Sequence, residues 1–415
     1  MMKSIKKRYP SYFKNFKCIG GKCSDSCCIG WNIDIDKTTF KKYFKVKDNE
    51  MKKMFQRNVM NNERCSSDDV DYGIVKLRKD KRCPFLDKEN YCVIHSNLGE
   101  EYLSNVCTCF PRVTNKIDEV YEMSLDVSCP EAARLILLNK EKINFINKEE
   151  NLGKYIISAQ INTKVKYDKN TPLRYFKEVR DFCINLVQNR KFTISERLYI
   201  LGDFINELED KFESNSTEIL SFIQEYDIER ASNDYNMDDI NTLLGNGSMN
   251  QIIKMNFFIK MIKILNVDKE VESYYFKRYT EEILNGYGIE EIKSILDKDI
   301  SSIKIIEQYQ EILEEKYNYI FENYLVNFIY NYTFPFNEIL SPFDSFIMLL
   351  VRTNFIKFYL IGLYLNNNEI NDEKIVEFIQ VFSKTIEHHK DYLINSLQYI
   401  KRNEYNNLEF AKNLL

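Results

Sequence analysis

Ten of the eleven cysteines of this chain lie between Cys18 and Cys129, and the remaining one is Cys183. Thiols this dense must be disulfides, metal ligands or reactive groups, and the compartment decides among them. The first 17 residues are basic (Lys3, Lys6, Lys7, Arg8, Lys14, Lys17) without an acid, but Tyr9 to Lys17 lacks the apolar stretch of a secretory leader. That arm reads as a solvated basic segment. The longest apolar run, Phe346 to Leu365, contains Arg352, Asn354 and Lys357. Each ionisable group at mid-bilayer costs about 2.5–3.5 kcal/mol, so a buried helix is expected there rather than a membrane span. The expected location is therefore the cytoplasm, where thiols stay reduced and a cysteine cluster reads as metal binding or catalysis. Cys183 sits in a helical apolar pattern and reads as a small core residue.

At 415 residues with 44% hydrophobic side chains, the chain has room for two domains with sizeable cores. Its formal charge of -4 comes from 58 basic and 62 acidic groups, a near balance that gives no field for nucleic acid or a membrane surface. The first third mixes short elements. Asp36 predicts a helix cap before Phe40 to Phe44, and Glu50 to Met60 predicts a second helix. Asp71 to Arg78 and Glu119 to Leu125 read as strands. Phe85-Leu86 and Cys92 to Ile94 read as a hairpin around Asp87 to Tyr91. Ser128, Pro130 and Glu131 signal a helix start. Beyond about residue 170 the periodicity is helical. Phe176, Val179, Phe182 and Leu186 mark one helix, and Thr193 with Glu196 form a capping box for the next. Further helices are predicted over about 249–265, 270–285, 303–332, 344–366 and 372–402. The polar stretch from Asn139 to Thr171 is the expected boundary. The predicted fold is mainly α: a small cysteine-rich α+β metal-binding domain at 1–145, then a larger all-helical domain at 146–415.

The first motif is Cys18-Ile-Gly-Gly-Lys-Cys23-Ser-Asp-Ser-Cys27-Cys28-Ile-Gly-Trp31. Gly20 and Gly21 let the backbone fold back so that several sulfurs face one point. Adjacent Cys27 and Cys28 cannot easily point the same way in an extended chain, so one is expected to ligate while the other supports it or serves a second site. A second group follows in Cys83-Pro-Phe-Leu, Cys92-Val-Ile-His95, Cys107-Thr-Cys109-Phe-Pro-Arg112 and Ser-Cys129-Pro130. At least eight candidates exceed what one tetrahedral ion can use, and thiolate-rich sets suit zinc and iron–sulfur clusters alike.

Tyr9-Pro-Ser-Tyr-Phe13, the Cys18 to Cys28 loop, Gly30-Trp31 and Asp36 resemble the flagellin lysine-N-methylase family, within the broader group carrying a CxxCxxCC-type zinc- or iron-chelating region. So do Cys83-Pro-Phe-Leu, Cys92-Val-Ile-His, Leu98-Gly-Glu-Glu-Tyr-Leu-Ser, Phe110-Pro-Arg112 and Ser128-Cys129-Pro-Glu-Ala-Ala-Arg134. The resemblance covers residues 9 to 138. It implies S-adenosylmethionine-dependent methylation of lysines on flagellin, a partner of the bacterial flagellum, with a [4Fe–4S] cluster in the enzyme. Its metal ligands fall on Cys18, Cys23, Cys27, Cys28, Cys83, Cys92, Cys107 and Cys129. Cys109 stands where the family has another residue, and Cys65 matches nothing in the pattern. The first motif also departs from the CxxxCxxC of radical S-adenosylmethionine enzymes, which argues against radical chemistry.

Lysine methylation needs a neutral amine, an in-line approach and a bound donor. The Gly-rich fingerprint of a dinucleotide-type donor fold is missing; Leu244-Gly245-Asn246-Gly247 reads as a helix-ending turn. An open iron of a cluster held by three cysteines is one way to anchor the donor's amino-carboxylate. His95 is a candidate ligand or base beside Cys92, and Trp31 a candidate stacking partner near Tyr12, Asp34 and Asp36. Arg112 is expected to meet a carboxylate or sulfide. Buried Arg352 is expected to pair with a carboxylate, and His388 and His389 read as surface residues. The alternatives are a zinc-binding helical interaction module and a metal- or electron-handling maturation protein.

Overall fold

In a computed structural model the described residues are 4–151, 153–164, 172–214, 218–243, 247–289, 300–336 and 341–415. Lys3 and the Leu244 to Asn246 part of the Gly-rich turn lie outside them. The chain divides into two units, residues 1–135 with 144–160 and residues 136–143 with 161–415.

The amino-terminal unit begins with β1 (Ile5–Pro10). Then come β2 (Asp34–Ile35), α1 (Lys37–Tyr43), α2 (Asn49–Asn58), β3 (Val59–Asn61) and β4 (Gly73–Val75). They are followed by α3 (Val93–Leu98), α4 (Asn105–Cys109), β5 (Arg112–Ile117), β6 (Val120–Leu125) and α5 (Pro130–Leu137). Two strands, β7 (Phe145–Glu150) and β8 (Ile157–Ile161), complete a five-stranded sheet of order β7-β1-β6-β5-β8. The basic arm is therefore not solvated coil. Its Lys6, Lys7 and Arg8 lie inside the sheet, where β1 runs parallel to β6 and antiparallel to β7. Cross-strand acids make this affordable: Lys6 stands opposite Glu149, Lys7 reaches Glu150 at 3.9 Å, and Arg8 reaches Glu122 at 3.8 Å. The polar 139–171 stretch likewise holds two strands rather than irregular chain. Both lie at sheet edges, where outward polar side chains are tolerated and hide the strand pattern.

A second sheet, β2-β4-β3, carries the smaller core. Asp36 caps α1 as expected, with Oδ1 accepting from the Thr39 amide at 2.9 Å, and Asp48 caps α2 through the Met51 amide at 2.8 Å. Tyr43 of α1 stacks on Phe55 of α2 with ring centroids 3.9 Å apart. The expected hairpin at 85–94 is half right. Leu86 and Cys92 form a single bridge across the Asp87 turn, but Cys92 then opens α3.

The second unit contains α6 (Phe176–Val187), α7 (Ile194–Ser214), α8 (Ile219–Glu225), α9 (Ile228–Leu243) and α10 (Gly247–Leu265). It continues with α11 (Val267–Glu270), α12 (Tyr274–Gly286), α13 (Ile300–Lys316), α14 (Asn318–Asn331) and α15 (Pro342–Asn367). The last three are α16 (Asp372–Phe382), α17 (Lys390–Arg402) and α18 (Leu408–Leu414). The capping box forms as read: the Thr193 amide donates to Glu196 at 2.7 Å and the Glu196 amide to the Thr193 hydroxyl at 3.2 Å. Two predicted helices are each broken. The 303–332 pattern divides at Tyr317 into α13 and α14. The 372–402 pattern divides at a π-helical turn, Ser383–Glu387, after which His389 Nδ1 accepts from the Tyr392 amide and caps α17. Hydrophobic spacing persists through both breaks, so periodicity alone runs across them.

Helix α15 is the one helix among the described residues long and apolar enough to cross a membrane, and that apolar stretch is wholly buried inside the unit. Its polar groups have protein partners. Lys357 pairs with Glu314, which also accepts from the Ile194 amide at 2.9 Å and the Ser195 hydroxyl at 2.8 Å. Burial works to raise the Glu314 carboxyl; Lys357 and the Ser195 donors outweigh it and leave the group below its ordinary value. Arg352 lies over the Phe328 ring at 5.1 Å. Deeper still, Glu322 is shared by Arg197 at 2.9 Å and Arg190 at 2.9–3.1 Å.

Two measurements test this packing. Gly286 of α12 meets α15 so closely that an added Cβ would strike the Gly362 carbonyl oxygen and sit 3.0 Å from the Asn366 amide nitrogen. Gly286→Ala should lower stability in chemical denaturation by about 1–3 kcal/mol, as overpacking does. Glu322→Ala strands the buried Arg197 guanidinium, and the same measurement should show a loss of about 3–5 kcal/mol.

Candidate metal centre

Turns and helix starts, rather than strand interiors, present the cysteines. The Cys18 loop runs back on itself through Gly20, whose φ of 55° suits glycine, and through Gly21. A Cβ at Gly21 would collide with the Glu89 carbonyl oxygen and meet the Tyr91 ring at 3.0 Å. This loop is thus pressed against the Asp87 turn, which Asp87 Oδ1 closes by accepting the Glu89 and Tyr91 amides at 2.9 and 2.8 Å. Its far end joins the Cys83 segment: Ile29 bridges Arg82, and the Cys83 amide donates to the Cys28 carbonyl at 2.8 Å. Arg78 holds the next turn by donating to the Pro84 and Leu86 carbonyls at 3.2 and 3.0 Å.

Cys92 and Cys129 stand at the heads of α3 and α5. The Cys92 sulfur receives the His95 and Ile94 amides, and the Cys129 sulfur those of Ala132 and Glu131. The Cys83 sulfur receives the Phe85 amide. Cys107 lies in α4, whose first amides are taken by Ser104 Oγ at 3.2 Å and by Asp36 Oδ2 at 2.9 Å. Ser128 does not cap α5 by its hydroxyl in the expected way; that group donates to Asp126 at 2.6 Å.

The thiols feel one another. Burial is the leading cause that pushes Cys107 and Cys129 up to about 12 and raises Cys83 and Cys92 as well. Repulsion between neighbouring thiols adds to each shift. Cys107 is exposed as a residue, and desolvation still leads the upward shift of its thiol. Cys27 and Cys28 do engage each other: a hydrogen bond between their side chains is the main cause raising Cys27. The adjacent pair is therefore closer than an extended chain would allow, because the Ser26 to Ile29 stretch is a turn.

Among the described residues, no three His, Cys, Asp or Glu side chains stand at the spacing of a metal site. The donor chemistry nonetheless fits a thiolate-bound group. Thiols that repel one another, already supplied with backbone N–H donors, are what a cation would ionise and hold. Cys18 and Cys27 are exposed and Cys23 is half-buried.

Other candidates separate from this set. His95 is exposed on α3. Trp31 is half-buried and meets Phe110 edge-on at 5.2 Å, and Arg112 lies over the Phe16 ring at 5.1 Å. Asp34 lies in β2, its carboxyl raised by burial and by Asp71. Tyr12 is buried. Cys65 is exposed and donates to Asp71 at 3.6 Å, Cys109 is buried at the end of α4, and Cys183 is fully buried in α6. Sequence reasoning missed the contact of Tyr91 and Glu89 with the Gly20-Gly21 loop, because it joins segments nearly 70 residues apart.

That contact makes a prediction. Gly21→Ala should lift the loop off the Asp87 turn, and amide hydrogen exchange across residues 18–28 and 87–91 should accelerate while that of the helical unit stays unchanged.

The sequence profile of the FliB lysine N-methylase C-terminal domain matches residues 180–414. A lysine-N-methylase of Salmonella typhimurium (strain LT2) is 22% identical over 405 residues, 96% of each chain. One from Salmonella choleraesuis is 21% identical over the same share. The flagellar biosynthetic protein FliU of Salmonella muenchen is 36% identical over 137 residues, 33% of this chain and 79% of that protein. No solved structure matches. With its profile covering more than half of the sequence, the chain belongs to the FliB lysine N-methylase family.

Proposed function

We propose that this protein methylates lysine side chains of flagellin in the cytoplasm, with S-adenosylmethionine as donor and a cysteine-held [4Fe–4S] cluster as resident cofactor. The observation that carries the reading is the extent of the similarity: the relatives named lysine-N-methylase align over 96% of the chain, thiol-rich unit and helical unit together. The flagellar substrate is supported by the name of the third relative.

In this reaction the neutral lysine amine attacks the sulfonium methyl. An N–C bond forms as the C–S bond breaks, the thioether leaves, and the ammonium proton must already have gone to water or to a base. Cys18, Cys23, Cys27, Cys28, Cys83, Cys92, Cys107 and Cys129 are the residues that would hold the metal group. Once bound, an iron–sulfur cluster would supply an open coordination position for the donor's amino and carboxylate groups. The protein's own part is to supply N–H donors to the sulfurs of Cys83, Cys92 and Cys129 and to keep the Cys18 loop in place. The helical unit is assigned the protein substrate. It carries a cavity of about 390 Å³ lined by Glu207, Lys211, Glu218, Phe222, Tyr226 and Arg230 among others, in which Arg230 pairs with Glu207 at 2.6 Å.

Two measurements test the proposal. Flagellin co-expressed with this chain should gain lysine mass increments of about 14 Da by mass spectrometry, one per methyl group transferred. Anaerobically purified protein should contain iron and acid-labile sulfide. Zinc alone without sulfide, and unmodified flagellin, would instead favour a zinc-stapled interaction module.

A further inference from the structure

The five-stranded sheet ends in two edges of opposite character. β7 closes one side and β8 the other, and among the described residues no further strand lies beyond either. An open edge offers a row of unpaired N–H and C=O groups, which proteins ordinarily guard with charge, proline or a covering segment. β7 is guarded: Phe145-Ile-Asn-Lys-Glu-Glu150 carries three charged side chains, and Lys148 and Glu149 are exposed. β8 is not. Ile157-Ser-Ala-Gln-Ile161 holds neither a charge nor a proline, and Ile157, Ser158 and Gln160 are exposed.

This edge is also held firmly. Just before it, Lys154 donates to the Leu103 carbonyl at 3.0 Å, and the Ile156 amide donates to the Cys109 sulfur at the end of α4. Tyr155 meets Tyr121 of β6 edge-on, with ring centroids 5.5 Å apart. Successive side chains of a strand alternate between faces, so Ile157 and Ala159 share one face while Ser158 and Gln160 share the other. Ile157 and Tyr155 are each 38% exposed. A strand laid along β8 therefore meets backbone donors and acceptors at its edge, an aliphatic neighbour on one face and uncharged polar groups on the other. An edge already fixed in place also spares its partner part of the ordering cost of binding.

We propose that the outer edge of β8, over Ile157 to Gln160, binds an extended, uncharged segment of the protein substrate as an added strand. The contact rests on the methyltransferase reading and adds to the one assigned to the helical unit. Contact area favours a substrate over a second copy of this chain. The five residues of β8 span about 17 Å and a sheet is about 10 Å thick, so the edge covers only about 170 Å² per partner. A stable dimer needs about 800 Å² per partner. A substrate that must leave after each methyl transfer suits so small a contact, because main-chain hydrogen bonds set its register while a few side-chain neighbours supply the selection. A charge on the guest opposite Ile157 would lose water without gaining a partner, which is why the segment is uncharged.

Hydrogen exchange of the full chain, followed by mass spectrometry with and without purified flagellin, reads the edge directly. Flagellin should slow exchange over residues 157–160 and leave β7 unchanged. Ile157→Lys and Ser158→Lys place a guarding charge on the edge. Each should raise the flagellin KM about tenfold, roughly the worth of one hydrogen bond, with kcat and the S-adenosylmethionine KM unchanged. Ile157→Val, which keeps the edge uncharged, should behave as wild type. Exchange in the rest of the chain reports whether each variant folds, and the wild-type measurement decides even where one does not. Unchanged exchange over 157–160 in the presence of flagellin, or a wild-type KM in both folded lysine variants, overturns the inference. Slowing that needs no flagellin and grows with protein concentration would give the edge to a second copy, and overturns it too. Methylated flagellin that leaves β8 unprotected would sink the docking strand and keep the proposed function; protection without methylation would do the reverse.

Discussion

Thiols sharing a partly dewatered space resist ionisation, since burial opposes each charge and every neighbour already charged opposes the next. That constraint governs the amino-terminal unit. Its apolar core is small, and several of the side chains that converge on it are thiols held above their ordinary range. A bound cation reverses the sign of the neighbours' effect, turning mutual repulsion into shared attraction, so the energy of metal binding becomes folding energy for the segments that carry the thiols. The sequence invests accordingly in positioning: three helix or turn starts aim amides at sulfur, and two adjacent glycines allow the first loop to lie under Tyr91.

The helical unit faces a related problem without sulfur. Helices α14 and α15 are buried on nearly every side, so the charges they carry must find partners within the same packing. Glu322 between Arg190 and Arg197, and Glu314 between Lys357 and the start of α7, are the solutions. Both carboxylates take more than one donor and join helices far apart in sequence. Hydrophobic packing fixes how near the helices come, and these clusters fix which faces meet.

Much of this was legible in the residues. Caps at Asp36 and at Thr193 with Glu196 carry a local chemical signature, and each forms as read. Buried α15 was readable because Arg352 and Lys357 argue against lipid. What escaped was set by distant partners. The Lys6 to Arg8 segment looks like a solvated arm until the acids of β7 stand beside it, and β7 itself is too polar at a sheet edge to show alternation. The π-turn at Ser383–Glu387 and the break at Tyr317 leave hydrophobic spacing intact and so are silent in a periodicity count. Motif spacing identified the thiols as a group but said nothing of which backbone carbonyls and rings each loop touches.

The loop bearing Cys18 and Cys23 is held by contacts that owe nothing to a bound ligand: Gly21 lies beneath the Asp87 turn at one point, and Phe16 lies under Arg112 at another. Loop position is therefore set by backbone and ring contact with segments that come much later in the chain.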